Sequence, residues 1–266
     1  MICVSIFIFE IMWKMEKKVL FLAIFMGLLQ LGCVIFYDYS QISGNNLNML
    51  WIIHICILSL DLTFVLIHLL LYETNRYTVF ILLSLIFFLV GDIFVQAYDQ
   101  PFENFIDNPA GYIVLAGCSY FIARVILTVI FAMKDGTEIV EVDKKVLIFT
   151  HFLFTLPYLA FGITFLALRT SYVSGFIFIY LFLCFGFLQS YALIRMIIEK
   201  GIMCLIFSSL LNFSHVILIC FMYSKAIPHI MKPFATNTYW VSLFLLALSI
   251  VPRPKQAFLY TQIEEF

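Results

Sequence analysis

Eight stretches of about 20 apolar residues follow one another along this chain, each long enough for a helix to cross the ~30 Å hydrocarbon core of a bilayer. They run at roughly 19–37, 49–71, 78–97, 111–133, 146–168, 172–194, 202–224 and 235–251. In lipid every backbone N–H and C=O must be bonded within the protein, so single segments of this length cross as helices. The expected fold is all-α: a polytopic membrane helix bundle forming one domain over 1–266, with residues 1–18 as an N-terminal extension. Short polar pieces such as "YETNR" and "RTS" separate the spans. The brief link after the fifth span predicts a tight antiparallel hairpin with the sixth. Residues 1–13, "MICVSIFIFEIMW", are too short to span, lack a basic leader and contain Glu10, so they do not read as a cleaved signal peptide.

The basic residues give an orientation. With eight spans, Lys14, Lys17, Lys18, Arg76, Lys134, Lys144, Lys145, Arg195, Lys200, Arg253 and Lys255 fall on one side, and Arg169, Lys225 and Lys232 on the other. An eleven-to-three split puts both termini in the cytoplasm. A seven-span count would scramble it. Only 12% of the residues are charged and 64% are hydrophobic, against about 25% charged in a soluble domain. Lipid is therefore the solvent, and the bilayer is the first partner. The net charge of −1 gives no field for nucleic acid. The seven cysteines are Cys3, Cys33, Cys56, Cys118, Cys184, Cys204 and Cys220. None forms a CxxC pair, so neither a disulfide framework nor a metal site is expected. Nothing resembles a nucleotide loop or a haem site, and no cofactor is expected. The sequence does not specify an oligomeric state.

Polar residues at membrane depth are costly, about 2.5–3.5 kcal/mol for an acid at a helix centre on insertion scales, and so mark structure or chemistry. His54, Asp61 and His68 recur every seven residues in the second span and share a face. Asp92 and Gln96 share a face of the third, with Gly91 allowing a neighbouring helix close. Arg124 lies inside the fourth, and Ser208, Asn212 and His215 form a stripe on the seventh beside Ser209. At a rise of ~1.5 Å per residue from the cytoplasmic end, Asp61 and Arg124 sit at ~15 and ~13 Å, and Asp92 and His215 both at ~21 Å. Two layers are expected: a structural Asp61–Arg124 ion pair, and an Asp92–His215 pair nearer the outer face. Asn212 and the serines have a plain reading as bonds between helices. His54 and His68 are expected among the headgroups.

The ordered motifs resemble the YhhN family of polytopic membrane proteins, which includes the lysoplasmalogenases. They are Gly91-Asp92 in "LVGDIF", the glycine-led "GYIVLAGCSYFIARVILTVIFA", Tyr180 in the sixth span, "GIMCLIFSS" in the seventh and "YWVSLFLLALS" in the last. The resemblance covers most of the chain. It implies eight helices and hydrolysis of the vinyl-ether bond of lysoplasmalogens, releasing a fatty aldehyde. Departures accompany it. Ser208-Ser209 stands where the family has Ser-Asp, Ser119 where a His precedes an aromatic pair, and Leu243 where the last helix has Gln. Of the two family acids, Asp92 remains.

Vinyl-ether hydrolysis begins with protonation of the carbon β to oxygen. Water then adds to the oxocarbenium ion and the hemiacetal collapses. The first step needs a general acid, and apolar surroundings help a carboxyl keep its proton. On the resemblance, Asp92 is that acid. Ser209 can orient water without carrying charge, and His215 or Asp61 is available as the base. Gln96, Ser208, Asn212, Tyr180 and Ser119 are the expected contacts to a lysophospholipid or other single-chain lipid. A second reading is a family member that binds or senses a lysolipid without turning it over. An internal membrane, such as the endoplasmic reticulum, is the expected location in a eukaryote.

Overall fold

The computed structural model describes residues 17–43, 47–71, 76–99, 109–134, 138–139, 144–167, 186–193, 203–223 and 231–250. These hold helices α1 (Lys17–Ser43), α2 (Leu47–Leu71), α3 (Arg76–Asp99), α4 (Pro109–Ala132), α5 (Lys144–Ala167), α6 (residues 186–193), α7 (Met203–Tyr223) and α8 (Met231–Leu248). Each overlaps one of the apolar stretches in the sequence, α6 covering only the end of the sixth. Pro109 opens α4, where its missing N–H costs no helical bond. Two short strands, β1 (Met133–Lys134) and β2 (Glu138–Ile139), pair antiparallel between α4 and α5. The sequence reading did not foresee this hairpin, although the Asp135-Gly136 dipeptide between the strands is a turn signal. Tyr180 lies outside the described residues, as does most of the sixth span.

The apolar helices fit membrane association. Among the described residues, four helices are long and apolar enough to cross a membrane: Lys18–Ser40 within α1, Leu50–Leu71 within α2, Arg76–Gln96 within α3 and Val114–Ala132 within α4. Phe21, Leu28 and Ile35 recur every seven residues on α1 and are 73, 63 and 61% exposed, a large apolar stripe on the outside. The interior carries the polar groups: Arg124, Asp61, Asp92, Ser208 and Asn212 are all buried. This is the reverse of a water-soluble domain, whose buried charges are rare and whose surface is mixed.

The last helix closes the bundle against the first three. Asn237 Nδ2 on α8 donates to Asp38 Oδ2 on α1 at 2.9 Å. Farther down, a Cβ at Gly27 would come 3.2 Å from the Phe244 ring. Residue numbers rise on one helix as they fall on the other, so α1 and α8 are antiparallel. The same holds for α1 and α2, through Gln30–Asp61 and Tyr37–His54, and for α3 and α8, through Tyr77–Ser249 and Asp92–Tyr239. The start of α1 and the end of α8 therefore lie at one end of the bundle. Asp38, His54, Asp92 and Asn237 gather toward the other.

Candidate functional site

Four helices converge on one carboxyl group. Asp92, seven residues before the end of α3, is 3% exposed. His54 Nε2 on α2 lies 3.0 Å from its Oδ2. Tyr120 Oη on α4 donates to Oδ1 at 2.5 Å. Tyr239 Oη on α8 donates to both oxygens, at 3.2 and 3.1 Å. Gly91 makes the arrangement possible. A Cβ there would lie 2.6–2.9 Å from three atoms of the Tyr120 ring, so glycine lets that ring come close to α3 while its hydroxyl reaches the next residue. Phe88, one turn before Asp92, packs against both tyrosines with ring centroids 6.2 Å away. The carboxyl group thus sits among proton-bearing side chains and aromatic carbon, and each partner is fixed by its own helix.

Two further residues border this cluster. His215 on α7 lies edge-on to Tyr120 and Tyr239, at centroid distances of 5.3 and 5.2 Å. Its Nδ1–H donates to the Leu211 carbonyl at 2.9 Å, which leaves Nε2 as the ring's acceptor in the neutral form. Arg124, one turn from Tyr120 on α4, is fully buried and within electrostatic reach of Tyr120, Tyr239 and His215.

This geometry corrects three expectations. Asp61 does not pair with Arg124. Its Oδ1 accepts from Gln30 Nε2 at 2.6 Å, because α1 supplies an amide at that depth, while Arg124 lies on the Asp92 side of the bundle. His215 touches the tyrosines that hold Asp92 rather than the carboxyl group itself, which His54, Tyr120 and Tyr239 already surround. His54 and His68 are buried, 7 and 3% exposed, and do not face headgroups. The seven-residue repeat correctly placed both on one face with Asp61. Their positions near the span ends misled, since α2 starts at Leu47 and carries His54 about 10 Å in from its end.

The α7 candidates divide between two environments. Ser208 and Asn212 are fully buried, with Ser208 donating to the Leu205 carbonyl at 3.1 Å. Asn212 Nδ2 donates to Gln189 Oε1 at 3.1 Å, and Gln189 Nε2 donates to Ser209 Oγ at 2.6 Å. Ser209 is exposed and lies with Gln189 on α6, outside the Asp92 cluster. Ser119 is buried beside Tyr120, and Gln96 is half-buried one turn beyond Asp92. Leu243, one turn past Tyr239, is fully buried.

Tyr120, Tyr239 and Gln30 escaped sequence reasoning because a phenol or an amide in an apolar run carries no charge to flag it. The available signal was positional, with Tyr120 opening an aromatic pair on α4 and Tyr239 preceding Trp240 on α8. Among the described residues no three His, Cys, Asp or Glu side chains are placed to hold a metal ion, and Cys33, Cys56 and Cys118 are free thiols. No family model, curated protein or solved structure matches this chain.

Proposed function

We propose that the Asp92 cluster is the acid centre of a lysoplasmalogenase-like hydrolase acting on a single-chain vinyl-ether lipid. The observation that carries this is a buried carboxyl group inside an apolar helix, bonded by His54, Tyr120 and Tyr239 from three other helices. In this reading Asp92 gives a proton to the vinyl carbon β to oxygen, and the oxocarbenium ion is left beside the carboxylate. Water adds and returns its proton to Asp92 as the hemiacetal forms, and collapse releases the fatty aldehyde and the glycerophospho-base. The tyrosine hydroxyls hold the carboxyl oriented through the cycle. The resemblance to the YhhN family supports the same acid. The accompanying topology is eight spans with both termini cytoplasmic, in an internal membrane if the cell is eukaryotic.

A second reading is a lysolipid-binding protein without turnover. Two observations favour it: Ser209 stands in place of the second family acid, and it is bonded to Gln189 away from Asp92. Both oxygens of Asp92 are also already met by protein groups, as in a structural keystone. Purified protein in nanodiscs, incubated with a lysoplasmalogen, separates the two. Hydrolysis predicts aldehyde release that falls ~10²–10⁴-fold in Asp92→Asn. Saturable binding of the lysolipid with no aldehyde would replace the first reading with the second.

A further inference from the structure

His54 has one ring nitrogen on Asp92, and its second is unmatched among the described residues. Nδ1 is buried and finds no hydrogen-bond partner among the described residues. Trp240, 2% exposed, packs edge-on against His54 at a centroid distance of 5.1 Å, and its Nε1 is likewise buried without a partner. Tyr37 completes a triangle of rings from three helices, 4.9 Å from Trp240 and 6.3 Å from His54. One turn toward the bundle end, Asn237 Nδ2 donates to Asp38 Oδ2, and the Oδ1 of each residue is buried and unmatched among the described residues. Four unmatched polar atoms thus lie along one seam between α1, α2 and α8, between the Asp38 end of the bundle and the carboxyl cluster.

Buried polar groups left without protein partners are commonly satisfied by internal water, which bridges two to four such groups at a time. These four lie on neighbouring residues, Asp38 bonded to Asn237, Asn237 one turn from Trp240, and Trp240 packed on His54, and they end at a titratable ring. Two acceptors lie at the outer end, an indole donor follows, and an imidazole that can donate or accept stands at the inner end. That order suits a file of waters.

We infer that the α1–α2–α8 seam is a water-binding channel, and that His54 relays protons between this water and Asp92. A hydrated proton in the seam binds Nδ1, the Nε2 proton passes to Asp92 Oδ2, and a water, a neutral ring in its other tautomer and a carboxylic acid remain. The reverse transfer resets the ring. The channel stands on geometry alone. Where the hydrolase reading of Asp92 also holds, the seam supplies the water that the reaction consumes.

The test needs no turnover. Full-length protein in nanodiscs is placed in deuterium oxide, and exchange at the histidine C2 positions is followed by mass spectrometry. His54 and His215 are almost equally buried, 7 and 8% exposed. The channel predicts exchange at His54 about tenfold faster than at His215, the signature of local solvent access rather than global opening. It also predicts that Asn237→Leu, an apolar plug at the mouth, removes the difference. Should that variant not fold, acrylamide quenching of wild type against Trp240→Phe isolates the emission of Trp240, which the channel predicts is quenched by the water-borne probe. Exchange at His54 no faster than at His215, a folded Asn237→Leu that leaves the difference intact, or unquenched Trp240 emission would each overturn the inference.

Discussion

Gly91→Ala tests whether the glycine before the acid has a mechanical role. The added Cβ would sit 2.6–2.9 Å from three ring atoms of Tyr120, well inside van der Waals contact. The ring cannot slide away freely, because its hydroxyl is bonded to Asp92. Relief therefore costs overpacking strain of ~1–3 kcal/mol. Releasing the hydroxyl costs about 1 kcal/mol net, since Tyr239 still meets the same carboxyl oxygen. Against this, alanine favours a helix over glycine by ~1 kcal/mol. The sum is a destabilisation of ~1–3 kcal/mol. In a Tyr120→Ala background the obstacle is gone and only the helix preference remains, so the same substitution should stabilise by up to ~1 kcal/mol. Denaturant unfolding of the four proteins of this double-mutant cycle, in one bilayer mimic, measures the reversal of sign. Equal costs in both backgrounds would refute the claim that Gly91 exists to seat Tyr120.

Other substitutions follow from the same packing. Gln30→Leu should destabilise by ~1–3 kcal/mol by leaving the buried Asp61 carboxyl without its donor, and Gln30→Leu with Asp61→Leu should recover much of the loss in the same unfolding assay. Asp61→Asn and Arg124→Leu should add in that assay, showing no mutual rescue, because Asp61 is bonded to α1 and not to Arg124. Gly186→Ala should loosen α6 from α5, since its Cβ would meet the Thr155 Cα at 2.8 Å, and backbone cannot turn aside as a side chain can. Trimming Thr155 to alanine should therefore not restore the melting temperature.

The architecture was legible in the sequence because one term dominates it. A run of apolar residues in lipid has a single cheap conformation, so helices α1 to α5, α7 and α8 overlie the apolar stretches, although α1 runs on through polar residues to Ser43. The seven-residue repeat of His54, Asp61 and His68 was legible for a similar reason, since helical period alone puts all three on one face, and all three are buried. Which polar groups meet was not legible. Depth estimates rank residues along the membrane normal but say nothing about azimuth. Asp61 and Arg124 have similar depths by residue rise alone and yet face different neighbours, whereas His54 and Asp92 meet across α2 and α3. Formal charge also drew attention to Arg124 as the partner for an acid, when neutral amides and phenols carry most of the bonding. Ser209 shows the same limit. Its place beside Ser208 identified the α7 stripe, but a step of ~100° around the helix separates a buried residue from an exposed one.

The parity of the bundle makes the final prediction. Asp38–Asn237 at one level and Gly27–Phe244 at another set α1 and α8 antiparallel. An even number of crossings must then join the start of α1 to the end of α8, whatever the path of the intervening residues. Parity alone does not choose the side; the basic residues do. Lys134, Lys144 and Lys145 flank the link between α4 and α5, whereas residues 100–108, joining α3 to α4, contain no lysine or arginine. Cationic links stay in the cytoplasm, and the first of these should therefore face it. A protease site inserted within 135–137 should be cut only from the cytoplasmic side of sealed vesicles. One inserted within 101–107 should be cut only from the opposite side. Sites after Ile250 and before Lys17 should behave like the first. Cleavage of these two terminal sites from opposite sides would refute the antiparallel pairing. Cleavage of all four sites from the reverse sides would keep the pairing and refute the orientation.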